Sequence, residues 1–124
     1  MRVLLDAHSF LWWVIGSTRL SAVARQAIAA EINDVLVSVC SLWEIAIKRS
    51  LGKLHFPHVF EDVLRDEAFE FLPITYGHLH LLESLPFHHR DPFDRLLIAQ
   101  ALAERIPIVT NDESFAAYGI ETLW

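Results

Sequence analysis

Four carboxylates in this sequence fall where an apolar run meets a helix. Asp6 follows RVLL (2–5), Glu44 lies a few residues after VLVSV (35–39), and Asp112 follows IPIVT (106–110). Asp94 stands near the head of the apolar stretch PFDRLLIAQA (92–101). Carboxylates gathered in one cleft repel each other, and burial raises the cost of each charge. A divalent cation removes that repulsion, and an all-oxygen donor set selects Mg2+ or Mn2+ over zinc. A cation held this way suits hydrolysis of a phosphodiester, because it activates water and stabilises the leaving oxygen.

Each acid also has a purely local reading. Asp91 is a good helix N-cap, and Pro92 sits at the first helical position, where its missing N–H costs nothing. Asp94 then falls at the third helical position, where a negative charge favours the helix dipole. Ser41-Leu42-Trp43-Glu44 has the form of a capping box. Asn111-Asp112 are turn residues, and Asp6 can cap the helix that follows it. The local readings are independent of one another, whereas a metal site accounts for all four acids together.

The elements that must position these acids alternate. RVLL (2–5) reads as a buried strand and AHSFLWWVI (7–15) as a short helix stopped near Gly16. Ser21 caps a second helix through about Glu31, and VLVSV (35–39) is a second strand. Ser41 caps a third helix to about Leu51, ended by Gly52. A helix is expected around 58–68, a strand at 69–74, a helix at 75–84 and a long helix from Pro92 to about Arg105. IPIVT (106–110) is a further strand, and a helical turn and IETLW (120–124) close the chain. Such alternation, with continuous apolar strands, argues for an α/β fold with a parallel sheet covered on both faces. Ligands in such folds bind at the carboxyl ends of the strands. Asp6, Glu44 and Asp112 share that edge. Asp94 joins them only if the 75–84 helix first carries the chain back across the sheet.

The chain has 124 residues, the size of one domain (1–124) with a core of its own. It is 53% hydrophobic, with four Trp and eight Phe, a surplus that hints at an additional buried interface. Its net charge of −6 excludes a general electrostatic nucleic-acid binder, so contact with nucleic acid requires a local basic patch or a metal. The single cysteine, Cys40, lies in an apolar run and reads as a small buried hydrophobe, compatible with a reducing compartment. No apolar run reaches the roughly 18 residues of a membrane span. MRVLLDAHSF does not read as a signal peptide. The expectation is a cytoplasmic protein.

The blocks RVLLDAHSFLWW, SLWEIAIK, HHRDPFDRLLIAQA and TNDESF resemble, in order and over nearly the whole chain, the motif blocks of PIN-domain ribonucleases. The nearest resemblance is to the VapC-type toxins of bacterial type II toxin–antitoxin systems. It implies a PIN-like three-layer sandwich with a mainly parallel five-stranded sheet flanked by helices. It also implies an Mg2+-dependent endoribonuclease. Asp6, Glu44, Asp94 and Asp112 match the acidic quartet of the family, with Asp6 and Asp94 as the main metal ligands. Glu44 and Asp112 complete the site, as ligands or by holding water. Thr110 matches the hydroxyl residue before the last acid and would order the carboxylates. Asp91 is read mainly as the N-cap, with a place in the metal shell left open. The resemblance further implies an RNA substrate, a homodimer, and an antitoxin that blocks the active site by binding near the apolar N-terminal helices.

His88, His89 and Arg90 precede the long helix. With Lys48, Arg49, Lys53 and Arg95 they are candidates for RNA phosphate contacts, the alternative being an ordinary solvated face. Trp12, Trp13 and Trp43 read as core or interface rather than stacking platforms. His78 and His80 flank Leu79 on a helix and do not face each other, which argues against a metal pair. Two other classes compete. A PIN-like binding module without activity would lack one of the acids, and none is missing. A phosphoacceptor receiver domain would need a late lysine, and none follows Lys53.

Overall fold

The computed structural model describes residues 1–124. Five strands form one all-parallel sheet in the order β3-β2-β1-β4-β5, with β1 at Arg2–Leu5, β2 at Asp34–Ser38, β3 at Glu70–Leu72, β4 at Ile108–Val109 and β5 at Thr122–Leu123. The helices are α1 (Ala7–Ile15), α2 (Ala22–Ala29), α3 (Val39–Ser50), α4 (Phe60–Glu67), α5 (Tyr76–Glu83) and α6 (Pro92–Glu104). A 3-10 helix follows β4 at Glu113–Tyr118. No helix is long and apolar enough to cross a membrane.

The sheet is covered on both faces, which explains its unbroken apolar strands. Side chains alternate across the pleat. Val3 and Leu5 of β1, with Val35, Val37 and Val109, enter a core that includes Phe10, Ala24, Ile28, Leu42 and Ile45. Leu4, Leu36, Leu72 and Ile108 enter a second core against Leu97, Ile98 and Ala101 of α6. Cys40 is buried as expected; its thiol donates to the Phe93 carbonyl at 3.3 Å, and burial foremost pushes its pKa up to about 12.

Most helix starts follow the cap chemistry. Ser21 accepts from Ala24 N–H at 3.1 Å, and Asp91 Oδ1 accepts from Asp94 N–H at 3.0 Å. Gly16 closes α1 at φ 67°, a left-handed conformation that suits a residue without Cβ. The start of α3 differs from expectation. Ser38, not Ser41, is the cap: its hydroxyl accepts from Cys40 N–H at 3.0 Å. β2 therefore stops at Ser38, Val39 is helical, and Ser41 is buried within the first turn. The Ser41–Glu44 capping box does not form, and Glu44 belongs to the second turn of α3. The expected strand 106–110 keeps only Ile108–Val109 in the ladder. Pro107 has no N–H to give, and its carbonyl instead receives Leu4 N–H at 3.0 Å. The strand expected at 69–74 is likewise reduced to Glu70–Leu72.

The connection between β3 and α6 decides where Asp94 lies. His78, in the first turn of α5, reaches Glu104 at the far end of α6 (3.2 Å), and Glu104 also meets Arg2 at the start of β1 (3.4 Å). Leu85 and Pro86, just beyond α5, meet Arg95 in the first turn of α6. So α5 runs antiparallel to α6 and returns the chain to the carboxyl edge before α6 begins. Gln100, fully buried in the middle of α6, secures this packing by accepting from the Ser38 hydroxyl and donating to the Pro73 carbonyl at 3.2 Å. His78 is a structural residue. Its Nδ1 accepts from Thr75 N–H at 3.1 Å, completing a capping box, which leaves Nε2–H for Glu104.

Candidate active site

The carboxyl edge of the sheet gathers the predicted acids. Asp6 ends β1 and is only 6% exposed. Its Oδ1 accepts from Ser9 N–H at 2.8 Å, so it caps α1 while lying in the cleft. The local reading of Asp6 as a helix cap is therefore met. Burial foremost raises the pKa of Asp6, against the hydrogen bonds from Thr110 and Ser9. Thr110 stands between two acids: its hydroxyl oxygen accepts from Asp112 N–H at 3.1 Å, and its hydroxyl is near enough to Asp6 to lower that carboxyl's pKa.

Asp112 divides its two oxygens. Oδ1 accepts from Ser114 N–H at 3.0 Å and from Ser114 Oγ at 2.6 Å, which starts the 3-10 helix. Oδ2 faces His89 Nε2 at 3.0 Å. Partial burial works to raise its pKa, but the hydrogen bonds from Ser114 and His89 outweigh it and hold the carboxyl below its usual value.

Asp94, like Asp6, has a pKa raised above its ordinary value. Its carboxyl is pushed up to about 7, first by burial and then by the charge of Asp91, with Glu44 and Asp6 adding to it and His89 opposing. The charges of Asp91, Glu44 and Asp6 thus all bear on Asp94. Glu44 reaches this cleft from α3 and is bound by Lys48 one turn later at 2.8 Å.

His89 is the residue whose role the sequence did not indicate. Its Nε2 lies 3.1 Å from Asp94 Oδ2 and 3.0 Å from Asp112 Oδ2. Donor atoms of His89, Asp94 and Asp112 lie within 4.8 Å of one another, close enough to hold a metal ion; Asp6 and Glu44 stand outside that trio. The ring's other nitrogen, Nδ1, accepts from Asp91 N–H at 3.1 Å. That bond selects the tautomer with hydrogen on Nε2, so in this arrangement the imidazole donates to both carboxylates. It does between Asp94 and Asp112 what a cation would do, drawing two like charges together.

Arg95 holds His89 in place, and this corrects its expected place among RNA contacts. It is 7% exposed, and its guanidinium donates to the carbonyls of Pro86 (2.9 Å), His89 (3.2 Å) and Leu85 (3.2 Å) while lying over the Phe87 ring at 4.1 Å. Tyr118 assists: its hydroxyl oxygen accepts from His89 N–H at 2.8 Å and its hydroxyl donates to Pro86 O at 2.7 Å. Arg49 is also turned inward. It donates to the carbonyls of Phe56 (3.1 Å) and His58 (2.9 Å) and lies over Phe60 at 4.3 Å. Lys48 is engaged with Glu44, and Arg90 and Lys53 are exposed. A buried arginine and an exposed one look alike in sequence. The available signal for Arg95 was its place in the first turn of a helix otherwise almost wholly apolar.

This edge, with acids from β1, α3, α6 and the end of β4, has relatives. A search of curated proteins returned no match. Among solved structures, VapBC2 from Rickettsia felis bound to a DNA fragment from its promoter superposes with TM-score 0.67 at 14% identity, over 100% of both chains. FitAB bound to the IR36 DNA fragment gives 0.68 at 16% identity, over 97% of this chain and 92% of that one. FitAcB from Neisseria gonorrhoeae gives 0.58 at 15% identity, over 97% and 95%. At such identities the likeness is one of fold, and the sequence itself supplies the rest: the PIN domain family matches residues 3–121, taking in every acid of the cleft, and the chain belongs to that family.

Proposed function

We propose that the chain is a metal-dependent endoribonuclease, the toxin of a toxin–antitoxin pair, using Mg2+ or, in its place, Mn2+. The observation that supports this reading is the grouping of Asp94 and Asp112 with His89 within 4.8 Å of one another, with Asp6, Glu44 and Asp91 close enough for their charges to bear on Asp94. There Asp94 bears the charge of its neighbours with its carboxyl pushed up to about 7. The donor set fits a hard cation, because the acids supply oxygens and their mutual repulsion is what such an ion relieves. Asp6 and Asp94 would be its main ligands, with Glu44 and Asp112 completing the site and Asp91 beside them. When bound, the cation polarises a phosphodiester and lowers the pKa of a water.

The chain's own groups do the rest. Thr110 stands between Asp6 and Asp112. His89 keeps Asp94 and Asp112 together through Nε2–H, and its position comes from Arg95 and Tyr118. Lys48 offsets the charge of Glu44. Exposed Arg90, next to His89, is placed to meet a phosphate.

The likeness to VapBC2 and FitAB supports an antitoxin partner, which we propose covers the active site. Exposed apolar surface on α3 and β3, where Trp43 is 55% and Phe71 52% exposed, supports burial against protein, including a second copy in a homodimer. The N-terminal tryptophans are less available. Trp12 packs on Trp124 at 5.8 Å, and Trp13 donates to Glu67 at 3.0 Å.

Calorimetric titration with Mg2+ tests the metal assignment. Wild type is expected to bind with a measurable heat that Asp6→Asn and Asp94→Asn each weaken by at least about tenfold, given what a lost carboxylate ligand removes. Identical isotherms for the three proteins would refute these ligands.

A further inference from the structure

A second cavity adjoins the acidic cleft. It has a volume of about 400 Å3 and lies between α1 and the chain that leaves α3. Its polar wall consists of His8, Arg19, Lys48, Lys53 and His55, with no carboxylate among the lining residues. The rest of the lining is apolar and includes Trp12. In a chain with 10 Lys and Arg against 16 Asp and Glu, such a segregation of cations is unusual. Lys48 is held by Glu44, but Arg19 and Lys53 are exposed and take part in none of the ion pairs.

Two lining residues link the cavity to the acids. Lys48 lines it while its ammonium lies 2.8 Å from Glu44. His8 lines it two residues after Asp6, in the first turn of α1. A strand of RNA whose phosphate reached the acids would therefore pass the cavity mouth. The volume falls within the roughly 300–1,000 Å3 of small-ligand pockets. An apolar floor beside a cationic rim suits a nucleotide, with its base on the floor and its phosphate on the rim.

We propose that this cavity is a subsite for one nucleotide of single-stranded RNA flanking the scissile phosphate. Arg19 and Lys53 would bind the phosphates, and the apolar floor of Leu11, Ile15 and Leu54 the base, Trp12 adding to that floor only the surface that Trp124 leaves free. The proposal rests on the endoribonuclease reading and adds to it where the strand runs.

The test uses the full chain carrying Asp94→Asn, so that RNA is bound without being cut. Its affinity for fluorescein-labelled single-stranded octamers is read by anisotropy, with and without Arg19→Glu and Lys53→Glu. Both side chains are exposed, so the fold is expected to persist. The double charge reversal is expected to weaken binding by more than about tenfold at low salt. It should also lower the slope of log affinity against log salt by about 1.4, at roughly 0.7 per phosphate contact on a single strand. An abasic octamer is expected to bind the parent several-fold less well than a base-bearing one. Equal affinities and slopes for parent and double variant, from a parent that binds RNA, would overturn the subsite and leave the ribonuclease reading standing. Equal binding of abasic and base-bearing strands would also overturn it, reducing the cavity to a phosphate contact. No RNA binding by the parent, together with no cleavage by wild type, would overturn both.

Discussion

Asp94→Asn is expected to lower RNA cleavage by about 10^3-fold and yet to make the metal-free protein more stable. The loss follows from removing a ligand of a catalytic cation, whose stabilisation of transition-state charge amounts to several kcal/mol, with about 1.4 kcal/mol for each tenfold in rate. The gain follows from the raised pKa. In the unfolded chain the carboxyl titrates at its ordinary value of 3.8, and in the fold at about 7. Below pH 3.8 the group is neutral in both states and adds nothing. Between 3.8 and about 7 the folded chain holds the extra proton, so stability falls as pH rises, and above about 7 the full cost is present. With the side chain 31% exposed and His89 beside it, screening reduces that cost to roughly 1–2 kcal/mol. Asparagine keeps an oxygen for His89 and carries no charge. Thermal unfolding in EDTA should therefore show wild type melting lower at pH 8 than at pH 5.5 by more than the variant does. A variant less stable than wild type at pH 8 would contradict the account of strain at this acid. Adding Mg2+ should raise the wild-type transition, by about 2.7 kcal/mol at a hundred times the dissociation constant, and leave the variant little changed.

Arg95→Met is expected to produce the largest loss of stability. The substitution preserves much of the apolar stem but removes a buried charge that satisfies three carbonyls and packs on Phe87. Breaking a buried, multiply bonded charge site costs about 3–5 kcal/mol, which for a chain of this size is a fall in melting temperature of roughly 10–15 °C. Because residues 85–89 are the segment released, His89 should lose its station between Asp94 and Asp112. Arg95→Lys should recover only part, since an ammonium lacks the planar fork that reaches three acceptors. An unchanged melting temperature for Arg95→Met, with RNA binding weakened instead, would restore the expected role of Arg95 at the nucleic-acid surface.

Much of the fold was legible because its signals are local. The runs RVLL and VLVSV announce strands buried on both faces, and Ser21, Asp91-Pro92 and Gly16 mark helix boundaries by their own chemistry. The start of α3 was not legible, because Ser38 and Ser41 both satisfy the preference for a cap. Tertiary contact decides between them: the Ser38 hydroxyl also donates to Gln100 of α6, sixty-two residues away. Of the four expected acids the structure brings only Asp94 and Asp112 within reach of one ion, together with His89. The dependence of Asp94 on the turn made by α5 was legible from the order of the elements. The role of His89 was not, since it arises from a tautomer fixed by Asp91 N–H and from two carboxylates 5 and 23 residues further on. Arg49 and Arg95 were expected to face RNA because charge normally faces solvent. Backbone carbonyls left open by the 54–58 and 85–89 segments recruited them instead.

The measurement that tests the central claim most directly is cleavage of total cellular RNA by the purified protein, free of any antitoxin, in Mg2+, Mn2+ and EDTA. The account predicts discrete fragments in either metal, none in EDTA, and none from Asp94→Asn in Mg2+. Intact RNA under every condition, from protein shown to be folded, would contradict it and favour a PIN-like module that acts through a protein partner alone.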